Sequence, residues 1–595
     1  MSLSSRVSRL VPDLAATLER FPACVLAALA MCIVANLEAA DVTRFDQDRL
    51  TQIYFAGAAG FLAGGVGHLF ALGRGWSTMP SAVLGLVLGG LAALLCYFYA
   101  TTGGHPLFIL PALTLALMVA AYLRRDTNEE ALWLFNARLG LALGLATVIT
   151  LIFGGGISAI LASLDYLFEI DVDNSLYEHT WVTGAALIGP VYGLSLMPAD
   201  LDEELVLDDQ PSLLDRGISV LVNYVMVPIA AVYVVILHLY AAKIAWTWEL
   251  PKGQIGIMVL LFGLGGTATY LIAKPWRGRG TALLRWFLAS WFWFTIVPAI
   301  LLGIAVWKRV SEYGVTPDRY GLVLIGAWLV AMAAYLALKR RRAESRVILA
   351  TLGALLLAAS FGPWGARDLS VSSQIARLAE ILQEHGYLQG DRLVEDIPAK
   401  GTIPPKDVSD AYSIIRFLRE TKGLNQLEPL FAGRDDSPFE DGKTGWQLVS
   451  AINGLLHLER STQTSDGGTR LSYIANSDSV LTFGPDIRIS GPHVVQQSSR
   501  TSRPAAAPDK VALRFDGDDL VITHDTRLWR VDKNEFLDRA GELRNKDSTH
   551  RRAFSVEASN EAGTVRLLIY GVSGQVGGTN ERLTYLQCWV LLPAE

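Results

Sequence analysis

Three polar side chains interrupt long apolar runs and are the first candidates for chemistry: His68, Asn223 and His238. A charge buried in hydrocarbon costs about 2.5 to 3.5 kcal/mol even on the mildest scale, so an ionisable group kept there is a functional candidate by default. Both imidazoles can equally stay neutral and hydrogen-bond a neighbouring helix, and that structural role is the expectation. No paired carboxylates, Arg-rich helix or inverted repeat accompanies them, which weakens the case for a proton-coupled pump or a channel.

Outside the apolar runs, familiar catalytic signatures fail on spacing. Gly442-Lys443-Thr444 ends like a phosphate-binding loop, but Ser437 stands where the first glycine belongs. Gly571-Val572-Ser573-Gly574 lacks the glycine spacing of a nucleophile elbow, and a hairpin loop between two strands is the expectation. His385, His457, His493, His524 and His550 are scattered without metal-ligand spacing. Asp516, Asp518 and Asp519 lack the rest of a calcium loop and read as turn chemistry. Cys24, Cys32 and Cys96 lie in apolar runs and Cys588 stands alone, so neither a disulfide within the polar half nor a cysteine zinc site is available. No catalytic residue, cofactor or metal is expected.

The elements that position these groups follow from composition. With 51% hydrophobic residues, 18% charged residues and a mean hydropathy of +0.33, the chain leans toward lipid. From Phe21 to Trp364 apolar runs dominate, and from Arg367 to Glu595 polar residues return at globular density. A net charge of -6 without a dense basic stripe argues against nucleic acid as a partner. A bilayer core needs roughly 20 apolar residues per helix, and about eleven segments qualify. They run near Phe21 to Leu37, Ile53 to Leu72, Ser81 to Ala100, Leu107 to Leu123, Leu139 to Leu164, Trp181 to Leu196, Gly217 to Tyr240, Ile255 to Ala273, Trp286 to Val306, Tyr320 to Leu338 and Val347 to Phe361. Gly60 and Gly64, Gly85 and Gly89, and Gly140 and Gly144 give small-residue faces that let helices approach, within one chain or between chains, so oligomeric state stays open. Pro111, Pro190, Pro228 and Pro298 are expected to kink or break their spans.

Orientation comes from positive charge, which collects in short cytoplasmic loops. From a cytoplasmic segment 1–20, alternate loops carry Arg74, then Arg124 and Arg125, then Arg216, then Lys274, Arg277, Arg279 and Arg285, then Lys339 to Arg342 and Arg346. The intervening loops are acidic or poor in positive charge, as around Glu169, Asp171 and Asp173. An odd number of crossings places the C-terminal half outside a bacterial inner membrane, in the periplasm. Reading the first span as a cleaved signal peptide puts Glu38 in a poor place within Leu37-Glu38-Ala39-Ala40, and an uncleaved span is expected.

Three stretches then stand out: Asn223-Tyr224 with Pro228, leading through Lys243 to Trp248-Glu249-Leu250-Pro251-Lys252-Gly253; Tyr313 to Tyr320; and Ser360-Phe361-Gly362-Pro363-Trp364, followed by Ser373-Gln374 and Arg377. On these motifs the chain resembles the bacterial multi-pass membrane family DUF4153, most strongly from Leu176 to Arg377. The resemblance implies a membrane bundle and brings no reaction, ligand or cofactor. With the topology above, all three stretches fall at the outer face. There Lys243, Glu249, Lys252, Tyr313, Asp318, Arg319, Trp364 and Arg377 form a candidate polar cluster. Interfacial anchoring and docking of the soluble domain is the expected role, ahead of a ligand site, because Trp and Tyr prefer headgroup depth.

In the polar half, helical spacing runs from Ser372 to Tyr387, from Pro405 to Leu418 and from Trp446 to Leu458. Strands are expected at Arg470 to Ile474, Val480 to Phe483 and Ile487 to Ile489. After a linker at 497–509, a hairpin joins Val511 to Phe515 and Leu520 to His524, and Asp532 caps a helix from Lys533 to Arg544. Strands from Phe554 to Ala558, Thr564 to Tyr570 and Leu583 to Leu592 complete an α+β module over 510–595. The whole is thus an α-helical polytopic membrane bundle over 21–366, a helical then β region over 367–496, and that module. Membrane lipids and an envelope protein are the expected partners.

Overall fold

The structure is a computed structural model. It describes residues 14–42, 46–101, 106–124, 128–170, 172–198, 201, 213–247, 255–278, 280–339, 343–398, 402–439, 443–458, 469–474, 487–496, 511–516, 519–524, 527–546, 553–560, 563–576 and 582–593. The chain divides into two compact units, residues 1–403 with 410–457, and residues 404–409 with 458–595.

Each expected span of the first unit falls on a helix, with Phe21, Leu123, Leu196 and Phe361 just outside the helical ends. After a short turn of helix at Leu14–Arg20, the helices are α1 Pro22–Ala39, α2 Gln47–Leu72, α3 Thr78–Thr101, α4 Pro106–Val119, α5 Glu129–Phe168, α6 over residues 174–195, α7 over residues 213–247, α8 Ile255–Ala273, α9 Ala282–Tyr313, α10 Pro317–Lys339 and α11 Ser345–Ser360. Among the described residues eight of these, all but α4, α6 and α11, are long and apolar enough to cross a membrane. The expectation of eleven such lengths fails at α4 and α11, whose 14 and 16 residues rise only ~21 and ~24 Å against a hydrocarbon core of ~30 Å. α6 fails because it opens on polar turns with Asn174, Glu178 and His179. The two short helices pack on each other, Gly353 facing Leu115 and the Ala112 carbonyl. Apolar clusters fill the space between the helices, two of them large. One gathers Phe21, Leu69, Tyr122, Leu132 and Phe135, and the other Phe262, Phe287, Trp291, Phe292 and Trp328.

Two of the three glycine pairs close a helix contact. A Cβ on Gly85 would meet the Gly64 carbonyl at 2.8 Å, and one on Gly89 the Gly60 carbonyl at 2.9 Å, so α2 and α3 touch backbone to backbone. Gly140 and Gly144 on α5 face open space instead. The prolines do not break their helices. Pro111 and Pro298 lie inside continuous helix, while Pro190 and Pro228 each follow a π turn, Gly184–Ile188 and Val222–Met226, by two residues. A proline ring clashes with the carbonyl four residues back, and widening the preceding turn relieves the clash without ending the helix.

Beyond α11 the same unit continues as a helical cap: α12 Ala366–Glu384, a small hairpin of β1 Leu388–Gln389 and β2 Arg392–Leu393, α13 Pro405–Glu420 from Asp410 onward, a 3-10 stretch Leu424–Phe431 and α14 Gly445–Leu455. α12 begins six residues before the expected Ser372, because Gly365 is already extended and Ala366 opens the helix.

The second unit holds a sheet of order β3-β9-β10-β4 with β8 also on β9, and a three-stranded meander β5-β6-β7. These strands are β3 Thr469–Ile474, β4 Ile487–Gln496, β5 Val511–Asp516, β6 Asp519–His524, β7 Arg527–Asp532, β8 Phe554–Asn560, β9 Gly563–Val576 and β10 Arg582–Pro593. Strands on both sides of the expected linker therefore share one sheet. The linker itself, 497–509, and the expected strand at Val480 to Phe483 lie outside the described residues. Asp532 caps α15 Lys533–Lys546 by accepting from the Asn534 N–H at 2.9 Å. The Gly571 to Gly574 stretch is no hairpin loop. It lies within β9, where Gly571 and Gly574 pair with Gln587 and Leu583 of β10. Val531, Phe536, Leu567, Leu586 and Val590 are among the residues of the common core.

Candidate functional site

The bundle has two polar ends. At one, α9 stops at Gly314, whose φ of +69° suits a residue without a side chain, and its N–H still reaches the Val310 carbonyl at 2.9 Å. Pro317 then opens α10, where a missing N–H is tolerated. The turn between them is gripped by α12. Gln374, 5% exposed, donates from Nε2 to the carbonyls of Tyr313 and Val315 at 2.9 and 3.0 Å, and the Val315 N–H donates to Ser373 Oγ at 2.9 Å. Arg319 donates back to the carbonyls of Tyr313 and Gly314 at 3.2 and 2.6 Å. The guanidinium carbons of Arg319 and Arg377 lie 5.7 and 5.3 Å from the centroid of the Tyr313 ring, within cation–π range. Arg377 also pairs with Asp410 at 2.7 Å. Arg367 donates to the Thr421 carbonyl at 3.0 and 3.1 Å, and Lys422 lies 3.7 Å from Asp48 at the start of α2.

Of the expected cluster, the structure thus brings together Tyr313, Arg319 and Arg377. Asp318 is exposed in the first turn of α10. Trp364 is 63% exposed and donates from Nε1 to the Ala358 carbonyl of the helix before it. Lys243 is exposed near the end of α7. Glu249 and Lys252 lie outside the described residues. Ser373 and Gln374, visible in sequence as part of a motif, do the gripping, and Asp410 gave no signal because its partner lies 33 residues away.

At the other end is a knot that sequence reading used only as a charge count. Lys274 Nζ meets Glu129 at 2.6 Å, Ser345 Oγ at 2.9 Å and the Ala343 carbonyl at 3.0 Å. Glu129 in turn accepts from the Ser345 N–H at 2.7 Å and its hydroxyl at 2.8 Å. Arg346 bonds the carbonyls of Tyr122 and Arg124, and Arg124 reaches the Gly73 carbonyl. Arg20 binds the Met197 carbonyl, and the Tyr122 hydroxyl donates to Leu201.

The intramembrane candidates divide. Asn223 sits in the π turn of α7, donates to the Ser219 carbonyl at 2.9 Å and accepts from the Thr281 N–H at 3.0 Å, tying α7 to the start of α9. His238 bonds the Val234 carbonyl at 2.8 Å and stands edge-on to Phe294. His68 is 1% exposed against Phe21, and neither ring nitrogen finds a hydrogen-bond partner among the described residues.

Other histidines serve locally. His385 bonds the Ile381 carbonyl at 2.8 Å, His524 lies in β6, and His550 lies outside the described residues. In the second unit His493 of β4 stands opposite Cys588 of β10. Burial pushes the thiol up to about 12 and holds the imidazole below its ordinary value.

A helical bundle with membrane-length spans, a helical cap and a separate β module define a polytopic membrane protein of α-helical class. The family described as a domain of unknown function, DUF4153, matches residues 23–397, and the chain belongs to that family. It is also 26% identical over 344 residues to "Uncharacterized protein PM1469" of Pasteurella multocida strain Pm70, covering 56% of this chain. The chain spans about half the length of that relative, 54%. No solved structure matches.

Proposed function

We propose that this is a non-enzymatic protein of the bacterial inner membrane, threaded eleven times from a cytoplasmic N-terminus, whose periplasmic C-terminal module engages an envelope partner. Alternation of the two ends supports the threading. Arg20, Gly73, Tyr122, Glu129, Met197, Lys274 and Ser345 meet at the knot end. Asn36 and His179, 2.8 Å apart, mark the cap end, as do Tyr99 beside Phe361 and the turn gripped by Gln374. These contacts support a crossing by each of α4, α6 and α11, short as it is. Among the residues that flank the helices, Arg20, Arg74, Arg124, Arg216, Arg277, Arg285 and Arg346 at the knot end outnumber Arg49, Arg309 and Arg319 at the cap end, which favours the cytoplasm for the knot end.

The observation that carries the functional reading is the grip of Gln374 and Ser373 on residues 313–315. Tyr313, Arg319 and Arg377 of the expected cluster lie around that turn, and its attachment to the cap supports docking ahead of a ligand site. The test is in-cell photo-cross-linking of the full chain from exposed positions of the module, such as Leu528. A discrete adduct with an envelope protein that survives Arg319→Ala and disappears on deletion of 458–595 supports the reading. A transporter or membrane-embedded enzyme acting on a lipid or polar solute at the outer face is the alternative. It gains if no adduct forms and a phenotype of the null strain is reproduced by Arg319→Ala while the protein remains inserted and folded.

A further inference from the structure

Between α7, α8 and α9 lies an open cavity of about 330 Å³. Its walls are apolar, including Met226, Phe262 and Trp291, and the side chains at its mouth, Ile229 and Leu261, are 56% and 64% exposed. In a bilayer that mouth faces acyl chains. The recess owes its depth to two features already described. The π turn Val222–Met226 contributes two wall residues, and Gly265 leaves open space where any side chain would project. Gly266 beside it is different, since its Cβ would collide with the Trp291 ring at 1.8 Å.

The recess lies toward the arginine-rich knot end. Arg285 stands six residues before Trp291 on α9, a rise of ~9 Å, and Arg216 nine residues before Val225 on α7, a rise of ~13 Å. Both arginines are exposed. Arg277, which follows α8 at the same end, is exposed and bonds the Leu288 carbonyl of α9 at 3.3 Å. Positive charge at the headgroup level above an apolar recess between helices is the pattern that retains an anionic lipid.

We propose that this recess is a binding site for a resident anionic phospholipid, with one acyl chain between α7, α8 and α9 and the phosphate near Arg216 and Arg285. The assignment does not depend on which side of the membrane the knot end faces, nor on the partner reading above.

The test is native mass spectrometry of the full-length chain exchanged into defined lipid, phosphatidylglycerol against phosphatidylethanolamine. The wild type retains one phosphatidylglycerol in preference to phosphatidylethanolamine by about tenfold. Gly265→Leu fills the recess without a backbone collision and loses that bound lipid. Gly265→Ala adds one methyl and keeps it. Arg216→Gln with Arg285→Gln retains a lipid but no longer distinguishes the two headgroups. Thermal unfolding of each variant, expected within a few degrees of wild type, separates loss of the site from loss of the fold. Equal retention of both lipids by the wild type, or full retention by correctly folded Gly265→Leu, overturns the proposal.

Discussion

Gln374 ties α12 to the turn between α9 and α10 through a single side-chain amide. Its two donated hydrogen bonds are each worth about 1 kcal/mol net. Gln374→Ala should therefore lower the stability of the detergent-solubilised protein by roughly 2 kcal/mol on those grounds. Gln374→Glu should cost more, because a carboxylate meets the same two carbonyls with no proton to give. Unfolding curves in which both variants match wild type would remove the grip from the account. His493 makes a second case in the module. Its folded pKa is held below the ordinary value by burial, so the unfolded chain binds the proton first as pH falls. Stability from this group is full above about 6.5 and is lost as pH drops through the folded value. Urea titrations at pH 7.5 and 5.5 should show a loss that His493→Gln reduces, and an identical loss in the variant would acquit His493. The residue types at the cap end were legible because Tyr313, Arg319 and Arg377 flank span ends. Glu129 and Ser345 were not, since 216 residues separate two side chains that only the fold joins.

Spacing announces which helices can approach closely, yet it does not say which ones do. Gly85 and Gly144 stand in the same four-residue pattern, but a side chain on the first meets the backbone of α2 and one on the second meets nothing within 4 Å. Gly85→Leu should cost at least the 1 to 3 kcal/mol typical of overpacking, roughly, because the colliding atom is a carbonyl that cannot rotate away. Gly144→Leu should accumulate in membranes at the wild-type level. Quantitative immunoblots of membrane fractions check both, and equal accumulation of the two variants would mean that α2 and α3 do not meet through Gly64 and Gly85. The same gap between pattern and packing explains the prolines. Their positions were plain in the sequence, but whether a helix answers with a break or a π turn depends on room in the neighbouring helices, which no local window holds. Strand β9 makes the point in the second unit. Two glycines around Ser573 read as a loop, and a long antiparallel pairing with β10 keeps the chain extended through them.

For the whole molecule the deciding quantity is the parity of crossings. By length alone eight helices qualify, an even number that would return the C-terminus to the side of the N-terminus. End-to-end connection supports the proposed eleven, because α4, α6 and α11 each lead from a residue near the knot to one near the cap end. Short helices can serve when the bilayer thins or flanking residues snorkel, at a modest cost per ångström. The arginine distribution favours the proposed odd count, since with the short helices crossing Arg74, Arg124, Arg216, Arg277, Arg285 and Arg346 share one end and outnumber Arg49, Arg309 and Arg319 at the other. Reporter fusions separate the two counts. An alkaline phosphatase fused after Glu595 should be active and a fluorescent protein at the same place dark, while fusions at Gly75 between α2 and α3 should behave in the opposite way. An active phosphatase at Gly75 would reverse the orientation. A fluorescent C-terminus with a cytosolic Gly75 would restore an even count, and the module would then meet cytoplasmic partners instead.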